Sequence, residues 1–244
     1  MHESLERDRV YVTVDLLILT VREGRLALLL SRRTAPPFEG CWALLGRFVG
    51  LEESAPEAAW ALLEEMLPVD DAYLEQLYTF TGVDRDPRGR VISTAYLAAL
   101  PWERLAPALD VPGVTLRCFD VKLDAGGLRL RGESETLGGG DLAFDHGRIV
   151  ARGVERLRGK LDYTDIAFRF LENTEAFPLS ALLSIYEAVQ DRTIDNSNFR
   201  RAIRSRYEDT GRMAQTDQEM RFRRGRPAAL YRLVEPDEGG IDND

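Results

Sequence analysis

The stretch GRFVGLEESAPEAAWALLEEMLPV, residues 46–69, combines a glycine-containing loop with an amphipathic helix that ends in two adjacent glutamates. Ser54 precedes Glu57 by three residues, which is the spacing of a capping box and predicts a helix start. Pro68 predicts the helix end, because proline has no backbone N–H and its ring clashes with the preceding turn. The stretch therefore predicts a helix over about 56–67 with carboxylates at its end, the kind of oxygen ligand that magnesium uses.

Apolar runs on both sides of this helix predict the strands of a mixed sheet. Alternating or β-branched runs have the strand pattern at 10–21, 25–33, 43–49, 72–80, 91–100 and 114–121. The first two runs are separated by the short turn REG, so we expect them to form a hairpin. The strands and the helix together predict an αβ domain over residues 1–143.

After residue 143 the sequence changes to helical periodicity. Helices are predicted at 144–161, 165–171, 178–190 and 196–207. The last two are joined by the short linker DRTID, as in a helix-turn-helix. A strand pair is expected over 221–235, and helices followed by a β-hairpin describe a winged helix-turn-helix. The second domain is therefore placed at 144–244, with an acidic C-terminal tail.

The charge distribution sets the second domain apart from the first. The chain carries a net charge of −9, yet residues 191–232 contain eleven arginines against six acidic residues. Residues 235–244 carry five acidic residues and no basic one. A basic block within an acidic protein favours a surface for a polyanion such as DNA, although an exposed face of arginine-rich composition gives the same pattern.

The helix predicted at 196–207 has the pattern of a recognition helix. Phe199 and Ile203 lie four residues apart and can face the core together, which turns the polar side chains outward. Arginine and asparagine on such a face read base edges or bind phosphates in the major groove. The candidate DNA-binding residues on this helix and before the last strand are Asn196, Asn198, Arg200, Arg201, Arg204, Arg223, Arg224 and Arg226. A helical dimerisation module with an exposed basic face is the alternative.

The composition is that of an ordinary globular protein, with 44% hydrophobic and 30% charged residues. No apolar run approaches the ~18 residues that would cross a membrane, and the N-terminus lacks a signal-peptide pattern, so no membrane partner is expected. Cys41 and Cys118 lie far apart in sequence, which predicts reduced thiols in a cytoplasmic protein. His2 and His146 are the only histidines, which disfavours a histidine-based zinc site or catalytic triad.

Residues 10–100 resemble the Nudix fold, in which a strand, a glycine-containing loop and a helix bearing glutamates follow one another. The Nudix box reads G-x5-E-x7-R-E-U-x-E-E-x-G-U, where U is an aliphatic residue. Its helix glutamates hold magnesium against a diphosphate so that water can attack phosphorus. Laid on this sequence without a gap, the first glycine of the box falls on Arg47.

The box departs from the Nudix pattern on its helix. In the ungapped register Glu53 and Glu65 match carboxylate positions, whereas Ala61 and Leu62 stand where the Arg-Glu pair is expected. A register shifted by one residue pairs Glu64 with Glu65 but still lacks the Arg-Glu pair. Because magnesium needs several oxygen ligands in near-octahedral order, we expect no catalytic residue, no metal site and no cofactor. Glu53, Glu64 and Glu65 are the residual carboxylates of the box.

A Nudix-like domain followed by a winged helix resembles the Nudix-related transcriptional regulators, whose members include repressors of NAD metabolism. The resemblance, over about 10–233, is carried by PPFEGCWALLGRFV, YLEQLYTF, DPRGRVISTAYLAAL, FDHGRIVARGVERLRGKLDYT, NFRR and GRPAALYRL. It implies an α+β protein in which a Nudix-like α/β/α sandwich senses ADP-ribose or a sugar-derived metabolite. It also implies that the winged helix binds a palindromic double-stranded DNA operator as a homodimer.

The resemblance places the effector in the Nudix cleft, where arginines pair with phosphate and aromatic rings stack on a base. The candidate ligand-binding residues are Arg32, Arg33, Phe38, Trp42, Phe80, Arg85 and Tyr96. Trp42, Phe80 and Tyr96 fit a hydrophobic core equally well. A rival interpretation is a divergent hydrolase of ADP-ribose-like nucleoside diphosphates that uses Glu53, Glu64 and Glu65, and a third is a helical assembly module without a DNA role.

Overall fold

The computed structural model describes residues 9–67, 72–110, 113–220 and 228–234. Within these ranges the large sheet contains β1 (Tyr11–Arg22), β2 (Arg25–Arg32), β3 (Trp42–Ala43), β4 (Leu45–Phe48), β5 (Tyr73–Phe80), β6 (Val91–Ala99), β7 (Leu116–Asp124), β8 (Gly127–Arg131) and β9 (Thr136–Gly138). The helices are α1 (Ala55–Met66), α2 (Trp102–Leu105), α3 (His146–Lys160), α4 (Leu179–Gln190) and α5 (Asn196–Ile203), and a small sheet contains β10 (Phe177–Pro178), β11 (Met213–Met220) and β12 (Ala228–Leu233). No helix in the described ranges is long and apolar enough to cross a lipid bilayer.

The large sheet has the strand order β5-β6-β1-β2-β7-β8-β9, with β3 beside β2 and β4 beside β1. The predicted β1–β2 hairpin is present, and β6 lies parallel to β1 on its other side. The single strand expected over 43–49 is instead two short strands. The break is at Leu44, because its backbone N–H donates to His146 Nδ1 at 2.9 Å rather than to a neighbouring strand.

Both faces of β1 are buried, which explains its nearly continuous apolar sequence. Side chains alternate between the faces of a strand, so Leu16 and Ile18 pack in the same cluster as α1. Leu17 and Leu19 pack in the cluster that contains α3 and α4. The sheet is therefore the middle layer of an α/β/α sandwich, as the resemblance to the Nudix fold implies.

Helix α1 begins at the predicted capping box. The Glu57 backbone N–H donates to Ser54 Oγ at 3.4 Å, and the Ser54 backbone N–H donates to Glu57 Oε2 at 2.7 Å. Both bonds satisfy donors that the first helical turn leaves without partners. Leu62 and Leu63 face the sheet, so Leu62, at a Nudix position expected to carry a carboxylate, belongs to the core.

The helices after residue 143 bury the faces that their periodicity predicts. On α5, Phe199 and Ile203 are buried and the intervening side chains are exposed. Two expected helices are shorter than predicted. The segment at 165–171 forms a 3₁₀ turn, Ile166–Phe170, and α5 ends at Ile203 and continues as a single π turn, Arg204–Glu208.

The wing is built from β11 and β12, which pair antiparallel, with β10 added beside β12. The expectation of a strand pair within 221–235 is correct for β12 but misses β11. This strand is upstream in MAQTDQEM, a polar segment whose burial alternates only in its first half. Residues 221–227 lie outside the described part of the chain.

A single hydrophobic core joins the sandwich to the winged helix. Leu17 of β1, Val154 of α3, Leu182 of α4 and Phe199 of α5 belong to one cluster of buried side chains. Packing is thus continuous across residue 143, and the domain boundary there stays a prediction from sequence. The consequence is that α3 contacts both the sensor-like sheet and the helices of the winged domain.

A charged cleft and an exposed basic helix

A cleft opens where β1 and β4 meet the start of α3. Two cavities of ≈ 130 Å³ and ≈ 400 Å³ adjoin here and share Arg85 and Phe144 in their linings. The smaller is lined mainly by charged side chains and the larger by the loop that follows β5. The larger one alone is within the range of about 300–1,000 Å³ found for small-molecule sites.

Asp15 is the buried carboxylate at the floor of this cleft. It accepts hydrogen bonds from Ser93 Oγ and from Arg85 Nη2, the latter at 3.3 Å, and its Oδ1 lies 3.5 Å from His146 Nε2. Burial alone would raise the pKa of Asp15, but the His146 ring, the Ser93 hydroxyl and the Arg85 guanidinium together hold it below its ordinary value. Gly46 is required opposite, since a Cβ there would lie 2.3 Å from Asp15 Oδ1.

His146, the first residue of α3, is oriented by two contacts. The Leu44 backbone N–H donates to Nδ1, so this nitrogen carries the lone pair and the ring proton lies on Nε2. Nε2 faces Asp15, which matches an N–H with a carboxylate. The histidine is therefore a structural link between β1 and α3.

Arg85 is held by carboxylates on two sides. Its Nε and Nη2 donate to Asp145 at 3.2 and 2.7 Å, and Nη2 also reaches Asp15. Only 8% of Arg85 is exposed, so its charge is neutralised mostly by protein groups. This side chain fastens the loop after β5 to the residue that precedes α3.

Phe144 is the aromatic centre of the cleft. Phe38 meets it edge to face with ring centroids 4.8 Å apart, and the guanidinium carbons of Arg33 and Arg88 lie 4.9 and 5.6 Å from its ring centroid. Phe38 and Phe144 both have positive φ, 61° and 55°. Non-glycine residues in this region cost about 1–3 kcal/mol each and concentrate at functional sites.

Two arginines, Arg33 and Arg88, lie beside this ring. Burial and the neighbouring Arg88 cation lower the pKa of Arg33. Arg88 donates to both carboxylate oxygens of Asp86, at 3.0 and 2.7 Å, whereas Arg33 donates to the carbonyls of Pro37 and Ala35. The mutual repulsion of the two guanidinium groups makes this part of the cleft favourable for an anion.

The sequence-predicted ligand residues divide into two groups. Arg33 and Arg85 line the smaller cavity, and Arg85 and Phe38 line the larger one. The others lie elsewhere: Arg32 donates to the Gly40 carbonyl at 3.0 Å, Trp42 and Tyr96 are 4% exposed in the two cores, and Phe80 packs beside the first of these cores. The cleft lining does not include them.

Sequence reasoning missed Asp15, Arg88, Phe144 and His146 as cleft residues. For Asp15 a signal was available, since it is a lone acid inside the apolar run VYVTVDLLILTV. A charge in a buried strand is costly unless it has partners, so its presence points to a polar site. For Phe144 and His146 no local pattern marks the position, because both appear only as the start of an amphipathic helix.

The residual box carboxylates do not fit a magnesium site. Glu53 Oε1 accepts from Arg47 Nη2 at 2.6 Å and from the Gly50 backbone N–H at 2.7 Å. Glu64 and Glu65 are exposed on α1. In the described part of the chain no three acidic, histidine or cysteine side chains are grouped as metal ligands would be. Arg47 therefore supplies the positive charge that Glu53 contacts.

The second candidate surface is α5. Asp195 caps the helix by accepting from the Asn198 backbone N–H at 2.8 Å, and Asn196, Asn198, Arg200 and Arg201 are exposed. Arg204, just after the helix, donates to Tyr231 Oη of β12 at 2.8 Å and lies 3.3 Å from Glu208. It thereby connects the helix to the wing. The predicted Arg223, Arg224 and Arg226 lie outside the described residues.

The helices and wing of this second surface match a known domain. Residues 167–233 match the profile of the NrtR DNA-binding winged helix domain. Over 91% of its length the chain is 31% identical to the ADPR responsive transcriptional repressor NtrR of Acinetobacter baylyi, of which 82% is covered. The chain belongs to the NrtR family. It is a DNA-binding transcriptional regulator whose N-terminal part has a Nudix-type fold, since the crystal structure of a MutT/nudix family protein from Enterococcus faecalis superposes with a TM-score of 0.74 at 26% identity over 93% of this chain and 89% of that one.

Two further relatives of this NrtR-family member are a DNA-bound regulator and a hydrolase. The crystal structure of Shewanella oneidensis NrtR complexed with a 27mer DNA superposes with a TM-score of 0.67 at 27% identity, over 91% of this chain and 93% of that one. An ADP-ribose pyrophosphatase of Methanocaldococcus jannaschii is 30% identical over 60% of this chain and 77% of its own length. The α+β architecture and the family predicted from sequence are confirmed, and hydrolases are among the relatives.

Proposed function

We propose that this NrtR-family protein is a homodimeric transcriptional repressor whose affinity for its operator falls when an ADP-ribose-like ligand occupies the charged cleft. The observation that carries the proposal is the position of α3. Asp145 and His146, at its start, line the cleft, while its apolar face shares a core with α4 and α5 of the winged helix. A ligand that moves the start of α3 therefore changes the position of the winged helix relative to the large sheet.

The chemistry of the cleft favours a ligand that carries both a diphosphate and a base. Arg33, which donates to backbone carbonyls, and Arg88, which is paired with Asp86, present two guanidinium groups beside Phe144, a combination suited to phosphate and to an aromatic ring. Thr13 Oγ1 is buried in the cleft lining without a hydrogen-bond partner among the described residues. Such a hydroxyl is available to a ribose or phosphate oxygen. The Acinetobacter relative is described as ADPR responsive, which agrees with this class of ligand.

The size of the cleft indicates that ligand binding moves its walls. The cavity that holds Asp15 and His146 is ≈ 130 Å³ in volume, too small for a nucleoside diphosphate sugar without movement of its walls. One wall is the start of α3, so binding and the unliganded position of α3 oppose each other. A ligand with different affinities for two arrangements of the protein shifts their populations. By linkage, bound DNA weakens ligand binding by the same factor by which the ligand weakens DNA binding.

The DNA-binding part of the proposal rests on α5. Its residues Asn196, Asn198, Arg200 and Arg201 are exposed, while Phe199 and Ile203 are buried and hold the helix against the core. A helix of this kind reads the major groove, and a dimer reads two half-sites about 34 Å apart. The Shewanella relative was crystallised with a 27mer DNA, long enough for two such half-sites.

The test uses the whole chain. Selection from a random duplex library supplies an operator, and fluorescence anisotropy measures its affinity with and without ADP-ribose at fixed salt. We expect saturating ADP-ribose to weaken binding by at least about fivefold, since allosteric coupling is typically 5–150-fold. An operator affinity that is independent of ADP-ribose, or a chain that selects no sequence, would contradict the proposal. Analytical ultracentrifugation tests the homodimer.

The relationship to an ADP-ribose pyrophosphatase makes hydrolysis the second candidate. The contact of Arg47 with Glu53, and the exposure of Glu64 and Glu65 on α1, support a binding site without turnover. We therefore expect no magnesium-dependent release of AMP from ADP-ribose by the wild-type chain. Turnover that Glu65→Gln abolishes would establish the hydrolase instead.

A further inference from the structure

A third cavity, of ≈ 590 Å³, lies between the large sheet and the turn that joins α4 to α5. It shares no lining residue with the charged cleft. One wall is the sheet, which contributes Arg25, Lys122, Arg129 and Arg131, and the opposite wall includes Arg192 in the turn. Cationic side chains therefore face the cavity from both the sensor sheet and the helix-turn-helix.

The acidic groups in the lining are already engaged. Asp120 accepts from Arg22 at 3.3 Å and from Arg25 at 3.0 Å, and Glu187 accepts from the Ile194 backbone N–H at 2.8 Å. Asp191 lies 3.7 Å from Lys122. These contacts leave a surplus of positive charge in the cavity.

Arg131 and Arg192 carry that surplus. Arg131 has no side-chain hydrogen bond or ion pair within the described ranges, and Arg192 uses only its Nε, which donates to Gln190 Oε1 at 2.6 Å. Both residues are exposed. Terminal guanidinium nitrogens on both walls can therefore donate hydrogen bonds to a single anionic ligand between them. A planar guanidinium binds phosphate through two parallel hydrogen bonds.

We propose that this cavity is a second effector site, which binds a small phosphorylated metabolite that has no nucleobase, such as a sugar phosphate, between Arg131 and Arg192. The volume is suited to a small molecule. The described residues that line the cavity include no aromatic side chain, so a base would have no ring to stack on. In this respect the site differs from the cleft around Phe144.

The position of the site gives it a route to the recognition helix. Asp191 ends α4 in the left-handed conformation, and Asp195 caps α5 four residues later. Arg158 of α3 already links the last turn of α4 to the sheet, since it donates to Val189 O at 2.9 Å and to Leu123 O of β7 at 2.8 Å. A phosphate bound by both Arg192 and Arg131 adds a second link between the turn before α5 and the large sheet. This link holds α5 in one position relative to the sheet and so changes operator affinity.

Calorimetry at constant ionic strength with ribose 5-phosphate and with inorganic pyrophosphate tests the site in the full chain. We expect binding to the wild type and at least a tenfold loss of affinity in the double variant R131A/R192A. The variant R117A, in an exposed arginine of the same sheet outside the cavity lining, serves as the matched control and should bind like the wild type. The variant R33A, in the charged cleft, should also retain binding.

Three outcomes overturn the proposal. The first is no binding of either probe to the wild type up to about 10 mM, where a site with a Kd of ~1 mM would be nearly saturated. The second is an affinity of R131A/R192A for the probes equal to that of the wild type, or a loss of probe affinity in R33A, which would assign the probes to the charged cleft. The third is a loss of duplex affinity in R131A/R192A without any probe binding, which makes the surface a DNA contact. Since the double variant should keep its ADP-ribose response, failure here is distinguishable from failure of the proposed repressor function.

Discussion

Arg85 and Asp145 form a two-point ion pair, with Nε and Nη2 of the arginine 3.2 and 2.7 Å from the two carboxylate oxygens. Asp145 directly precedes α3, and Arg85 belongs to the loop that lines the cleft. The same guanidinium contacts Asp15 on β1. This single side chain therefore connects the charged cleft, the central strand and the helix that leads to the DNA-binding domain.

Replacing Arg85 should be strongly destabilising. In Arg85→Ala, Asp15 and Asp145 lose their shared cation in a site that is almost closed to water, which typically costs about 3–5 kcal/mol. Urea unfolding measures the change in free energy. Arg117→Ala, which removes an exposed arginine 3.9 Å from Glu133, should change stability by less than about 1 kcal/mol. A loss of similar size in both variants would mean that the buried pair has no special role.

Asp15 should make stability fall at acid pH. Its pKa in the folded state lies below the ordinary value of 3.8. The stability that its ionisation contributes is therefore present above that value and is lost as the pH falls through the folded pKa. In Asp15→Asn this part of the acid dependence should disappear, and the variant should be less stable than the wild type at pH 7. Urea unfolding from pH 7 down to about pH 3 checks both points; parallel acid profiles for the two proteins would refute the assignment.

Two glycines of α3 should respond oppositely to alanine. A Cβ on Gly147 would lie 2.1 Å from the Gly139 carbonyl oxygen, so Gly147→Ala must displace backbone and should cost more than about 1 kcal/mol. At exposed Gly159 a Cβ meets no atom within 4 Å, and Gly159→Ala should stabilise by about 0.5–1 kcal/mol. Thermal and urea unfolding measure both. Stabilisation by both substitutions would show that α3 is free to move away from Gly139.

Arg200 and Arg201 should contribute affinity that depends on salt. Each phosphate contact that is lost reduces the slope of log affinity against log salt by about one. We expect Arg200→Ala and Arg201→Ala to weaken operator binding while leaving ADP-ribose binding intact. Arg152→Ala, an exposed arginine on α3 near Glu155, is the matched control. If the double variant R200A/R201A kept the wild-type slope of log affinity against log salt, α5 would be excluded as a DNA contact.

Arg33 and Arg88 should determine ligand affinity in the cleft. Loss of one charge-assisted hydrogen bond costs about 1.5–3 kcal/mol, so Arg88→Ala should weaken ADP-ribose binding by roughly tenfold to a hundredfold. Phe144→Ala should weaken it as well, because the ring contacted by both arginines is removed. Calorimetry measures these affinities, with Arg117→Ala as the control. Unaltered ADP-ribose affinity in both Arg33→Ala and Arg88→Ala would place the ligand elsewhere.

Some residues of the candidate ligand site could be predicted from the sequence, and others could not. Arg33 and Phe38 are found at the cleft because a loop next to a strand end in the Nudix pattern is a local feature. Trp42 and Tyr96 are in the core instead, since an aromatic side chain carries no local sign of which face of a strand is covered. Arg88 and Phe144 come together only through the contact of two distant loops.

By itself, the sequence determined what depends on neighbouring residues: the capped start of α1, the buried Phe199 and Ile203 of α5, the β1–β2 hairpin and the missing Arg-Glu pair of the box. These follow from periods of two or 3.6 residues and from hydrogen bonds within a turn. The tertiary structure decided the rest. Asp15, Ser93, Arg85 and His146 meet only because β6 pairs parallel with β1 and α3 starts beside β1, and no local pattern records such long-range pairing. The same packing breaks the strand at Leu44, places the start of α3 in the cleft wall and buries the apolar face of α3 in the core that it shares with α4 and α5.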